Sequence, residues 1–290
     1  MWSDPAFAEL DSILNSADSS SITGLIDSLL SLTEGYSQLS LRLGYNSNIT
    51  AATNTVDIKK FGISPGIAYY HKSGAYADLS TYWSNQYDPQ LYLTVASVGY
   101  IAIPTAKWSI LGEYAHYFYN VPDSIEGTGT TTNTPYTNNF YLSNFLDVGV
   151  VTFRLDYSFL FGAETANRFY PAIGLNLVKT NWIGMDRIRF FPSVGLLYGN
   201  ETVVTTVPNY STRLGAILLT RLGLALFKDV TDKPWGILNY GITVPVSVSL
   251  KKWTFIATYV YNFPQPLPGE QLDVSHGGYI SVSVNRYFRL

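Results

Sequence analysis

The chain has 290 residues, a formal net charge of −3, 13% charged and 15% aromatic side chains, 23 Tyr, 2 Met and no Cys. The charged share is about half the roughly 25% of soluble domains, and no Lys/Arg block occurs, which leaves no case for a nucleic-acid partner. Absent Cys excludes disulfides, thiolate metal sites and cysteine nucleophiles, while the longest greasy run, 214–227, is too short and carries Arg221, so no membrane-crossing helix is expected.

The first 35 residues stand apart. Asp4-Pro5 reads as an N-cap followed by Pro at the first helical position. Phe7, Leu10, Leu14 and Ala17 keep helical spacing, as do Ile22, Leu25, Ile26 and Leu29 after the break at 18–21. The segment holds Asp4, Glu9, Asp11, Asp18 and Asp27 without Lys or Arg, which predicts two short, acidic, amphipathic helices. MWSDPAFAEL has neither the basic nor the apolar region of a signal peptide, so an exported chain would already have lost its leader.

From 36 to 290 the period is two. In 38–46, Leu39, Leu41, Leu43 and Tyr45 oppose Gln38, Ser40, Arg42, Gly44 and Asn46. The same alternation runs through 61–69, 152–162, 171–177, 188–198 and 242–250, with weaker versions at 75–86, 90–103, 107–120, 140–150, 252–263 and 277–289. In 152–162, Phe153, Leu155, Tyr157, Phe159 and Phe161 share one face against Thr152, Arg154, Asp156 and Ser158. Most of the polar faces are too small and wet to be the far side of a sandwich core. The reading is about twelve antiparallel strands of nine to fifteen residues closing into an all-β transmembrane barrel, with the greasy side toward lipid.

Connections alternate in length, as in outer-membrane barrels. Short ones fall at 72–74, 104–107, 150–151, 181–186 and 251–252; long polar ones at 47–60, 121–139, 199–234 and 264–276. Parity then constrains 201–234. The tight turn at Lys251-Lys252 needs a strand running toward the short-turn end before it, so 201–234 holds no strand or two. None gives twelve barrel strands and two give fourteen; twelve is favoured. The stretch 213–228 is expected to be helical or folded over the barrel mouth.

Five stretches carry a family resemblance: DSLLSL (27–32), YYHKSG (69–74), LDYSFLFG (155–162), GILNYGITVPVSVSL (236–250) and YNFPQPLPGE (261–270). With them the chain resembles outer-membrane β-barrel proteins of the Bacteroidota type, and the ending YISVSVNRYFRL resembles the last strand of exported bacterial barrels. The resemblance implies fold and a Gram-negative outer-membrane location. It carries over no active site.

The strand phase predicts a lumen lined by Arg42, Asp78, Glu113, Asp147, Arg154, Asp156 and Arg189. Such residues either fill a barrel with paired charges and water or form a charge-selecting constriction, and their mixed signs favour the first. The aromatic runs at 81–83, 114–120 and 259–263 fall toward strand ends, where an interfacial girdle needs no ligand. Chemistry is not expected. Among three His, only His116 lies inside a strand, and its same-face neighbours Tyr114 and Phe118 supply no nucleophile. No metal spacing or phosphate loop occurs, so no cofactor is expected.

The expectation is a non-enzymatic barrel of residues 36–290 that passes or binds small or amphipathic solutes. Its alternative is an accessory subunit with a filled lumen, docked to outer-membrane or periplasmic proteins through residues 1–35 or the long loops. Residues 1–35 have two placements: a plug whose carboxylates meet Arg42, Arg154 and Arg189, or a periplasmic docking segment.

Overall fold

The computed structural model describes residues 36–47, 62–85, 89–120, 136–209, 225, 227–268 and 276–290. The two helices expected before residue 34 and most of the stretch 213–228 lie outside these residues. Among the described residues sixteen strands occur. β1 is Gln38–Asn46, β2 Gly62–Tyr70, β3 Ala75–Trp83, β4 Leu91–Thr105, β5 Trp108–Tyr119, β6 Tyr136–Val148, β7 Val151–Gly162 and β8 Thr165–Leu175. β9 is Leu177–Trp182, β10 Met185–Phe190, β11 Ser193–Asn200, β12 Val203–Pro208, β13 Phe227–Asp232, β14 Trp235–Leu250, β15 Trp253–Pro264 and β16 Gly277–Arg289.

Fourteen of them form one antiparallel sheet that closes on itself, with β1 paired to β2 and β16, and β11 paired to β8 and β14. β8 and β9 are two halves of one stave, as are β10 and β11, so the barrel has twelve staves. The breaks fall together. Pro192 has no N–H to give, and its carbonyl accepts from Leu175 N at 2.9 Å. Phe191 N reaches Pro245 O at 3.1 Å, and Asn176 N reaches Val150 O at 2.7 Å. Below this level β10 still pairs β14, whereas β9 pairs β10 alone and leaves an open edge.

The span 201–234 does contain two strands, but β12 and β13 pair only with each other in a separate ribbon. They add nothing to the barrel, which stays at twelve. Other differences from the sequence reading are at element ends. β6 starts at Tyr136 and β8 at Thr165, earlier than expected, because Tyr136 and Ala166 are buried by their neighbours. Tight turns close five hairpins at one end; Gly74, Gly149 and Gly184 supply the positive φ three of these turns require (100°, 66° and 74°).

The burial pattern is inverted relative to a soluble sheet. Leu43, Val98, Phe118 and Leu155 are more than half exposed on the outer face, while Ser283 and Asn285 are 2% exposed on the inner one. Alternation along each stave makes this possible, since consecutive side chains take opposite faces. Arg286 is a charged exception on the outer face. Its guanidinium lies over the rings of Trp253 and Phe288, 4.9 Å from each centroid, so its stem covers apolar surface while its charge meets π faces.

Candidate functional site: the barrel interior

Large inward side chains lie sideways over a neighbour that has none. Arg42 on β1 stands opposite Gly66 on β2, and Gly66 opposite Ser80 on β3. With no Cβ in the way, the Arg42 guanidinium crosses β2 and donates to both carboxylate oxygens of Asp78 at 3.1 Å, and to Ser80 Oγ. A Cβ at Gly66 would press on that guanidinium and on Ser80 Oγ. Ser80 Oγ in turn donates to Asp78 Oδ1 at 2.6 Å. The next pair repeats the device. Tyr76 faces Gly99, Gly99 faces Glu113, and the Tyr76 hydroxyl donates to Glu113 across the glycine. Tyr170 likewise covers Gly195, where a Cβ would overlap its ring.

A third cluster sits on β6 and β7. Arg154 Nε donates to Asp156 Oδ1 at 2.9 Å and its Nη2 to the Tyr141 hydroxyl at 2.9 Å. The Ser143 hydroxyl also donates to Asp156. The Arg154 guanidinium lies between the Phe145 and Tyr170 rings, at 5.5 and 5.4 Å. The Arg42–Asp78 and Arg154–Asp156 charges hold in this low-polarity space because each has a counter-charge and further hydrogen bonds.

The remaining predicted lining residues sit nearer the ends. Asp147 accepts from the Thr152 hydroxyl, and Arg189 Nε donates to Asn176 Oδ1 at 2.9 Å. Toward the long-loop mouth Arg168 pairs with Glu201 at 2.6 Å, a couple that the sequence reading missed because Glu201 lies just past the end of β11. Thus the structure joins Arg42 to Asp78 and Arg154 to Asp156, and places Glu113 against Tyr76, Asp147 against Thr152 and Arg189 against Asn176. On the outer face of β7, Phe153 and Leu155 are exposed, and Tyr157, Phe159 and Phe161 are half-buried by rings. Phe159 and Phe161 stack at 5.5 Å, Phe140 stacks on Phe161 at 5.5 Å, and Tyr157 meets Phe169 at 4.9 Å.

The interior is lopsided. Staves β3 to β8 present Tyr76, Tyr82, Tyr117, Tyr141, Phe145 and Arg154. Staves β14 to β16, across the ring, present small hydroxyl and amide groups: Ser247, Thr254, Thr258, Ser281, Ser283 and Asn285, all buried. The first wall carries most of the rings and the Arg154 charge; the second carries mostly short hydroxyls and amides, with Ile256, Val260 and Tyr279 buried among them.

His116 points outward rather than into this space. Its Nδ1 lies 2.8 Å from Asn138 Oδ1 on the neighbouring strand, the Tyr114 hydroxyl donates to the same oxygen at 2.7 Å, and Phe118 packs edge-on against the imidazole. The His–Asn contact was not legible from sequence, since it depends on β5–β6 register. The hydroxyl beside it belongs to Tyr114, and Phe118 occupies the other flanking position, so no serine stands where a nucleophile would be needed.

No family model matches the chain, and no curated protein matches it. Solved structures share the barrel shape. The KdgM porin in complex with disordered oligogalacturonate is 11% identical, with 87% of this chain and 99% of that one covered at a TM-score of 0.46. The NanC porin is 9% identical, with 86% and 98% covered at 0.44. The translocator domain of the autotransporter NalP from Neisseria meningitidis is 12% identical, with 96% and 98% covered at 0.41.

Proposed function

We propose that the chain is an outer-membrane barrel of a Gram-negative bacterium that passes or binds small or amphipathic solutes through its interior. The apolar outer face supports the location. A closed barrel leaves no open edge within its ring, and Leu, Val, Phe and Tyr side chains outside it are stable only against lipid or another apolar surface. The five stretches that resemble Bacteroidota-type barrels fit that location and add the bacterial group to the proposal.

One observation carries the functional part: the opposed walls of the lumen. The Ser/Thr/Asn positions of β14 to β16 offer donors and acceptors, interrupted by Ile256, Val260 and Tyr279, and the Tyr/Arg wall offers ring faces and a paired charge. A solute with hydrogen-bonding groups on one side and an apolar side on the other meets both. Arg42 and Arg154 are neutralised by Asp78 and Asp156, so ions of either sign gain little.

Purified protein in planar bilayers should give small conductance steps with weak ion selectivity. Silent barrels that remain folded would reject passage and favour the accessory-subunit reading. That second reading has one structural support, the open edge of β9, which is a template for a strand from another protein. It treats the lumen as filler and the lower rim as the working part.

Orientation has its own test. Asn209 is exposed just beyond β12, at the long-loop end. A tag inserted there should be reached by antibody on whole cells. Access only after outer-membrane rupture would invert the barrel and put the short turns outside.

A further inference from the structure

The short-turn end of the barrel is a cationic ring. Lys72 lies in the β2–β3 turn, Lys107 in the β4–β5 turn, Lys179 near the tip of β9, Lys251 and Lys252 in the β14–β15 turn, and Arg289 at the end of β16. All six are exposed, and among the described residues none forms an ion pair. Nearby acids are few. Asp186 accepts from the Lys251 backbone N–H and Asp147 from Thr152. The opposite end is mixed, with Lys228 and Lys233 beside Asp232, Glu164 and Glu201.

Residues 1–35 join the barrel at this same ring. Ser37 Oγ accepts from Lys72 N at 3.2 Å, Ser37 O accepts from Leu290 N at 2.9 Å, and the Arg289 guanidinium lies 4.1 Å over the Tyr36 ring. The chain is therefore pinned to the rim at the point where the segment ends. Asp4, Glu9, Asp11, Asp18, Asp27 and Glu34 give the segment six acids and no base.

We infer that residues 1–35 dock on this cationic rim, their carboxylates against Lys72, Lys107, Lys179, Lys251, Lys252 and Arg289, instead of entering the lumen. The lumen is the poorer partner for six carboxylates, because Arg42, Arg154 and Arg168 already hold Asp78, Asp156 and Glu201. Opposite charges held close by one covalent tether act at high effective concentration, so modest individual pairs add up. The inference rests on the barrel fold and not on whether a solute passes.

Because the chain lacks Cys, Ser16→Cys gives a single spin-label site in the full chain. In zwitterionic nanodiscs at low salt the label should be slow. It should be freed several-fold by about 1 M salt, and by the four-fold reversal Lys72→Glu, Lys107→Glu, Lys251→Glu, Lys252→Glu. Restoring the slow state by adding Asp11→Lys, Asp18→Lys and Asp27→Lys to that variant supports the docking. If the reversal does not fold, the matching four-fold Lys→Gln variant takes its place, with strand circular dichroism as the folding check. A label equally fast in native and reversed barrels overturns the inference. So does a slow label indifferent to rim charge. Deleting 1–35 should leave conductance unchanged; a new, larger conductance would return the segment to the lumen. Loss of conductance in every variant, with the label responding as expected, would fault the solute-passage reading alone.

Discussion

Removing the carboxylate of Asp156 should cost about 3–5 kcal/mol of folding free energy, because Arg154 would stay in the barrel wall with no counter-charge. Asp156 is 4% exposed and also takes the Ser143 hydroxyl, so water has little room to substitute. The double variant Arg154→Met, Asp156→Ala should recover much of that loss, since it removes both charges together. Denaturant unfolding from lipid or detergent, run as a double-mutant cycle, measures both. A single variant as mild as the double would mean that the pair is solvated, and the buried-charge account of this wall would fall. Conductance adds a second reading: freeing Arg154 should shift selectivity toward anions.

On the other side of the same stave, Leu155→Arg should cost about 2–4 kcal/mol, the penalty for a cation on the lipid face near mid-membrane. Leu155 is 51% exposed in the isolated chain, where a soluble protein would tolerate Arg for a few tenths of a kcal/mol. The contrast separates lipid from water as the outer solvent. Ser158→Ala, three positions on and facing inward, should cost little and serves as the control. Indifference at Leu155 would place this surface in water and remove the membrane from the proposal.

The alternation that makes these two predictions opposite was visible in the letters alone. Phe153, Leu155 and Phe159 against Arg154 and Asp156 specify a two-faced strand, and a one-residue slip would put every charge outside, so the phase is strongly determined. What the letters could not reveal was reach. Arg42 and Asp78 are 36 positions apart, and only the β1–β2–β3 register, with Gly66 between them, lets one touch the other. The role of the glycines at 66, 99 and 195 as lanes for Arg42, Tyr76 and Tyr170 depends on pairing. The division of two staves was hidden as well. Leu177 continues the apolar phase of Ile173 and Leu175, and the break at Asn176 follows from Pro192 on the neighbouring stave, a contact across the sheet.

The unpaired edge of β9 doubles as a depth gauge. Hydrocarbon cannot satisfy those backbone N–H and C=O groups of Leu177–Trp182 that point away from β10, each of which would lose several kcal/mol there, so the acyl chains must stop above them. That sets the lower boundary of the nonpolar slab near Val150 and Leu175, where β7 and β8 are still zipped together. Counting upward from Val151 to Phe161, ten steps of about 3.3 Å at a tilt of about 40° climb roughly 25 Å, the height of the apolar band of outer-membrane barrels. A thicker bilayer has no spare stave to climb on that side. It has to thin locally around β9, or the barrel has to lean away from it.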